Sequence, residues 1–371
     1  MACPLSMHEV HPAADFTQQV STVPFTVPSA ISQPAFPGES HDDEGILDSH
    51  LVLFCDRESS AYSNSSQGLD DDFSDYAEEL ASDTTSLDSE ITSYRYENGR
   101  RYHAYKDGAY WAPNDDKQNT QLDIAHHMFT LLLDGKLHLA PTGYSIQRAL
   151  DIGTGTGIWA IDFADEHPSA EVIGTDLSPI QPSFIPPNLQ FVIDDACEDW
   201  IYPANYFNLI HTRTLYGAVA DWPQFYRKAL RHLRPGGWFD QLEMSIQFRS
   251  DDETLSEDHV LAIWSKTFLE AGEKLGKTFR IAELAAGYMR EAGFQNVVEH
   301  RYKLPVGPWS RDKKLKSLGM WNLVHCEHGI EGWAMALLTR VMKWTFAEVH
   351  VFLAQMRKGL RDPNVHAYFE V

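Results

Sequence analysis

Basic residues are in short supply. Thirty Lys and Arg stand against 53 Asp and Glu in 371 residues, for a formal charge of −23. A phosphate backbone is bound by a positive surface, so this balance excludes nucleic acid as the main partner. Cysteine is equally sparse. Cys3, Cys55, Cys197 and Cys326 are widely scattered and form no C-x-x-C pair, which argues against a disulfide framework and for a reducing compartment, cytoplasmic or nuclear. No run approaches the roughly 18 apolar residues that a membrane span needs, and the first residues lack a basic region followed by an apolar one. Neither a membrane span nor a secretory signal is expected. The stretch His325 to His328 is the one metal-like cluster, but no distant ligands of matching type accompany it, so no metal is expected.

The acidity is unevenly spread. Residues 1–92 hold eighteen Asp or Glu and a single basic residue, Arg57, and so contribute −17 of the total charge. Rich in Pro, Ser, Asp and Glu, this segment cannot bury enough apolar surface to offset chain entropy and is expected to be a disordered acidic tail. One apolar island, Ile46 to Phe54, interrupts it. A protein partner that docks on the tail is one use for such a segment; a patch without a partner is the other. Residues 93–371 remain as a mildly acidic globular domain with ample length for a core.

Within that domain the chain is organised around one stretch. A short apolar run ends at Asp151, glycines alternate at Gly153, Gly155 and Gly157, and an apolar-periodic segment begins at Ile158. This is a strand, a tight turn and a helix start. Glycines let the backbone bend sharply and approach a ligand closely, beside the free amides of a helix N-terminus. About twenty residues on, a second apolar run ends at Asp176, where a carboxylate suits the two hydroxyls of an adenosine ribose. A dinucleotide fingerprint would place glycine at position 158, and Ile158 disfavours an NAD-dependent dehydrogenase. The spacing G-x-G-x-G after an acidic residue matches S-adenosylmethionine (SAM) better.

Further motifs extend the match. The aromatic run Tyr94 to Tyr105, then Tyr110 to Asp116, Ala149 to Trp159 (ALDIGTGTGIW), Ile173 to Pro179, Gln181-Pro182, Pro186 to Asn188, Asp221-Trp222 and Leu233 to Trp238 resemble the LaeA-like fungal methyltransferases over residues 93–371. That resemblance implies a class I, Rossmann-like α/β sheet of the seven-stranded type with helical cap elements at about 249–277 and 311–360. It implies SAM as cofactor, held by Asp151, Gly153, Thr154, Gly155, Gly157, Asp176 and Leu177, with Asp195 and Ala196 beside the adenine. The implied reaction is methylation of a small-molecule intermediate of fungal secondary metabolism. A regulator of secondary-metabolite gene clusters that works through protein partners is the alternative. Where the family usually has an arginine ahead of Leu122 this chain has Gln121, which changes whatever that arginine grips.

The remaining elements follow from periodicity. Leu122, Ala125, His126, Phe129 and Leu132 predict a helix before the first strand, with His126 and His127 on different faces. The aromatic run from Tyr94 to Trp111 reads either as a lid over the cofactor or as simple packing. Prolines at 179, 182, 186 and 187 forbid a helix after Asp176, and strands are predicted at 189–193 and 207–211. His211 thereby reaches the carboxyl edge, where imidazole can serve as a general base, line the methionine end or only bond backbone. Asp221 and Pro223 start a helix that ends before Arg234. The strand after it offers Asp240 and Glu243 towards a methyl acceptor. Further on, 294–304 alternates as a sixth strand, and Thr345 with Glu348 predicts a capping box. Family members commonly add a strand after Phe369, so the final strand is expected to be missing or shortened, with an open sheet edge.

Overall fold

The computed structural model describes residues 93–371 except Ala109, Tyr144 and Ser145; the acidic tail of residues 1–92 and its apolar island lie outside the described residues. A hairpin, β1 (Arg95–Glu97) and β2 (Arg100–Tyr102), precedes α1 (Asp116–Leu132). The central sheet follows as β3 (Arg148–Ile152), β4 (Glu171–Asp176), β5 (Leu189–Ile193), β6 (Phe207–Arg213) and β7 (Leu233–Leu242). These five strands are parallel and lie in the order β5-β4-β3-β6-β7. Ala149, Leu150, Val172, Leu209 and Ile210 are buried, as parallel strands covered on both faces require. Because the chain steps one way from β3 to β5 and then returns to the other side of β3, a crevice opens outside the carboxyl ends of β3 and β6.

Helices cover the sheet through narrow apolar faces. In α2 (Ile158–Glu166) the buried residues are Trp159, Ala160, Phe163 and Ala164. In α3 (Trp222–His232) they include Trp222, Phe225, Tyr226 and Ala229, and the Asp221 carboxylate accepts the Gln224 amide at 2.8 Å to start the helix. The chain then runs from α3 directly into β7, whose register shifts between Phe207 and Leu209 to absorb Pro235, Gly236 and Gly237. The predicted cap ranges hold α4 (Val260–Leu275), α6 (Lys313–Ala336) and α7 (Phe346–Leu360), with α5 (Ile281–Ala292) between them. Thr345 and Glu348 form the capping box at the start of α7. In α4, Trp264 and Phe268 stack with centroids 4.0 Å apart, and both are buried, so the helix is amphipathic. Long α6 packs against both α1 and α7, placing a helical layer beside the crevice.

One expectation at the far end of the chain is corrected. The sixth strand spans only β8 (Lys303–Pro305), because α5 ends on left-handed Gly293 and Asn296 also takes a positive φ of 54°, which breaks any extended run. The final strand is short: β9 (Tyr368–Glu370) has three residues and runs antiparallel to β8, with Leu304 opposite Phe369. On its other side, β9 exchanges backbone hydrogen bonds with the continuation of β7, from the Ser245 amide to Glu370 at 2.8 Å and in both directions between Arg249 and Tyr368 at 2.9 Å. The last residues of the chain thus pair with the segment after β7, while β7 itself remains the edge of the five-stranded sheet. Phe369 is buried and packs on Phe248 with ring centroids 4.3 Å apart. Phe369→Ala is expected to lower stability by about 3 kcal/mol or more through lost transfer energy and a cavity. Urea unfolding measures this, and a loss below about 1 kcal/mol would show that the terminal strand is not part of the core.

Candidate cofactor and methyl-acceptor site

Asp151 lies at the centre of the crevice floor. In the parallel register it stands opposite His211, and its Oδ1 is 2.7 Å from the His211 Nδ1. Its Oδ2 accepts the Thr154 hydroxyl at 2.6 Å, tying the glycine loop to the strand before it. His211 is also stacked flat on Trp159 of α2, with centroids 3.6 Å apart and planes 2° from parallel, and is only 2 % exposed. This arrangement makes His211 a strut between β3, β6 and α2. Its Nδ1 is committed to Asp151, the contact that sets the ring's orientation.

Gly153, Gly155 and Gly157 all take positive φ, at 70°, 59° and 80°. At Gly153 an added Cβ would lie 2.5 Å from the Leu215 side chain, and at Gly157 it would lie 2.3 Å from the Phe191 ring. These positions accept only glycine, and the loop stays thin at the crevice. The amides of Gly153 and Thr154 both donate to the Thr175 carbonyl, at 2.8 and 2.9 Å, locking the loop to β4.

At the tip of β4, Asp176 Oδ2 accepts the Gly155 amide at 2.8 Å and Oδ1 accepts the Ser178 amide at 2.9 Å. Each oxygen keeps a second lone pair, which is what two ribose hydroxyls require. Burial pushes its carboxyl up to about 6, against the pull of those two amides. Leu177, half-buried, forms the lip beside it. At the tip of β5 the Asp195 Oδ1 accepts the Cys197 amide at 2.8 Å and Oδ2 receives the Lys106 ammonium at 3.0 Å. The Cys197 amide and Lys106 together hold its carboxyl below the usual range despite its desolvation. Asp194 instead turns back on the chain and accepts the Asp195 amide, and Ala196 lends its carbonyl to Trp200 and Lys228. The nine residues expected to hold the cofactor thus line the ends of three adjacent strands, and a thin loop with a carboxylate on each flank fits an adenosyl group.

Other groups lay beyond sequence reasoning. Lys106 also pairs with Glu198 at 2.8 Å, so the segment before α1 is strapped to the adenine side by one ammonium and two carboxylates. Trp111 from that segment packs on Phe279 and Tyr216 with centroids 5.3 and 6.2 Å apart. Trp111 is itself buried, so this end of the aromatic run packs into the core. Asp240 Oδ1 accepts the amides of Leu139 and Ala140 at 3.0 and 2.8 Å. Gln121 is buried, holding His325 Nδ1 at 2.8 Å on one side and Gln118 at 2.6 Å on the other. Burial lowers His325 to about 4, so its ring is neutral at physiological pH. His328 is turned to its own helix through the Val324 carbonyl.

A family profile described as a methyltransferase domain matches residues 124–299. Methyltransferase pytC of Aspergillus terreus is 41 % identical over 290 residues, covering 78 % of this chain and 89 % of that protein. The secondary metabolism regulator LAE1 of Cochliobolus heterostrophus is 36 % identical over 278 residues, covering 73 % and 91 % respectively. The probable methyltransferase tdiE of Emericella nidulans is 36 % identical over 258 residues, covering 69 % and 80 %.

The Asp176 carboxylate sets two expectations. Asp176→Ala should weaken SAM binding by about 1.5–3 kcal/mol, roughly tenfold to a hundredfold, as measured by calorimetry. Unchanged affinity would remove Asp176 from the ribose site. Ribose hydroxyls donate better to the ionised carboxyl, so the affinity of the native chain should rise with pH through about 6. In the unliganded chain the same raised pKa acts in the opposite sense on stability. Between the ordinary 3.8 and about 6 the folded form binds the extra proton, so this group's contribution falls as pH rises across that window. Asp176→Asn should remove both trends.

Proposed function

Because the chain belongs to the LaeA-like fungal family of class I methyltransferases, we propose that it transfers the SAM methyl group to a small-molecule intermediate of secondary metabolism. The observation that carries this reading is the pairing of a glycine-only loop with the Asp176 carboxylate at the switch point of a parallel sheet. SAM, when bound, supplies an electrophilic methyl group on a sulfonium, and the chain's own residues do the rest. Asp176 takes the ribose, Asp195 and Ala196 flank the adenine, and the Asp151, Thr154 and His211 network keeps the loop in position. The rings of Trp111, Tyr216 and Phe279 exclude water and favour a cation by their faces. Alignment of an existing nucleophile then supplies much of the rate.

A second reading keeps the fold and moves the acceptor. A relative named as a regulator is matched over most of its length, and the acidic composition of residues 1–92 suits a docking segment for a protein partner. The two readings separate in one experiment. The purified chain is incubated with methyl-labelled SAM and an organic extract of a producing fungus. Label is expected in low-molecular-mass, organic-soluble product, and Asp176→Ala should abolish it. Label recovered only in protein would favour the regulatory reading instead.

A further inference from the structure

The order of the sheet lays the site out in a line. Asp195 follows β5, Asp176 ends β4 and the glycine loop follows β3, while β6 and β7 lie on the far side. Strands stand about 4.8 Å apart. A cofactor with adenine over β5 and ribose over β4 therefore brings its methionine end over β3, and the methyl acceptor belongs over β6 and β7. Three other polar groups there each have an atom engaged: His211 Nδ1 with Asp151, Asp240 Oδ1 with two backbone amides, and Arg213 3.3 Å from the His126 ring.

Glu243, directly after β7, is different. Its side chain is buried, 7 % exposed. Its Oε1 accepts the Leu215 amide at 3.0 Å and the Gln241 side-chain amide at 3.0 Å, and Gln241 is fixed in turn by the Tyr226 hydroxyl at 2.7 Å. The other oxygen, Oε2, is buried with no hydrogen-bond partner among the described residues. Leu215, held by Glu243, is the side chain that lies against Gly153, so the carboxyl is coupled to the cofactor loop. The titratable groups that feel its charge are Tyr110 from the segment before α1, Tyr216 from the loop after β6 and Tyr226 from α3. Burial pushes its carboxyl up to about 7, with Gln241 and the amides of Leu215 and Tyr216 pulling the other way, and no cation takes part. A buried carboxylate oxygen without a partner is costly, and a ligand hydrogen-bond donor removes that cost. Trp111, Tyr216 and Phe279 are buried and pack on one another, and Tyr216 directly follows Leu215, whose amide Glu243 accepts.

We propose that Glu243 Oε2 is the proton acceptor for methylation, and that the acceptor is a phenol-like hydroxyl on a flat ring system seated against Trp111, Tyr216 and Phe279. This rests on the methyltransferase reading above. In the step, the hydroxyl oxygen forms a bond to the methyl carbon, and the carbon–sulfur bond breaks with its electron pair left on sulfur. The hydroxyl proton passes to Glu243 and then to solvent, so S-adenosylhomocysteine and a methyl ether result. A base with proton affinity near neutrality suits a hydroxyl that sheds its proton only as it attacks.

The test uses the full-length chain saturated with S-adenosylhomocysteine and titrated with 4-nitrophenol, a phenol whose absorbance reports its protonation. The native complex should bind it saturably, and Glu243→Gln should bind it at least about tenfold more weakly, the loss of one hydrogen bond to a charged group. Binding of S-adenosylhomocysteine by the variant serves as the check on its folding. Equal 4-nitrophenol affinity in the two proteins, or no saturable binding by the native complex, would overturn the assignment. Failure of the native chain to bind S-adenosylhomocysteine would instead overturn the cofactor reading on which it rests.

Discussion

The contact on which the site depends is the buried carboxylate of Asp151. One oxygen holds Thr154 in the glycine loop and the other holds His211 on the neighbouring strand, whose ring is clamped in turn by Trp159 of α2. Four elements are therefore fixed by one side chain: β3, the loop, β6 and the helix that follows. Hydrogen bonds to a charged group contribute about 1.5–3 kcal/mol each, and removing the carboxylate would also leave two buried polar partners unpaired. The loop can be thin because its position is set from below. That thinness allows Leu215 and Phe191 to close over glycines where any Cβ would collide.

From this floor the site acquires a direction. The carboxylates Asp195, Asp176 and Glu243 follow β5, β4 and β7, each held by backbone amides, but their surroundings differ. Asp195 has Lys106 as counter-ion and is held low, whereas Asp176 and Glu243 have no such partner and are raised by desolvation. A carboxylate held low after β5, a raised one at the end of β4 and one raised to about 7 after β7 form a graded series across the sheet. The segment before α1 spans that series, with Lys106 at one end and Trp111 at the other.

What could be read in the sequence was what local spacing determines. Asp151, the three glycines and Asp176 were legible because a turn needs glycine at fixed offsets and a strand announces itself by its apolar run. The helices were legible through their caps, as Asp221 and the Thr345 and Glu348 pair illustrate. Long-range pairings were not legible. Nothing near His211 in the chain reveals that it faces Asp151, 60 residues earlier, and so becomes a strut. Lys106 reaches across 89 residues to Asp195, and a lone lysine among aromatics carries no signal of that. The pairing of the short terminal strand was not legible, because it is only three residues long and its identity comes from partners at Leu304 and Arg249 rather than from its own pattern. Glu243 and Asp240 are equivalent candidates in sequence; only packing shows that the unpartnered oxygen of Glu243 is buried, while Asp240 is half-exposed.

The central claim is that adenosyl, methionine and acceptor are laid out along β5, β4, β3 and then β6 and β7. A crystal structure of the full-length chain with S-adenosylhomocysteine tests it most directly. The account predicts ribose hydroxyls hydrogen-bonded to Asp176, the adenine edge beside Asp195, and the sulfur directed to the side where Glu243 and Trp111 lie. A bound molecule with its adenine over β6 or β7, or with Asp176 still bonded only to its own backbone, would contradict it.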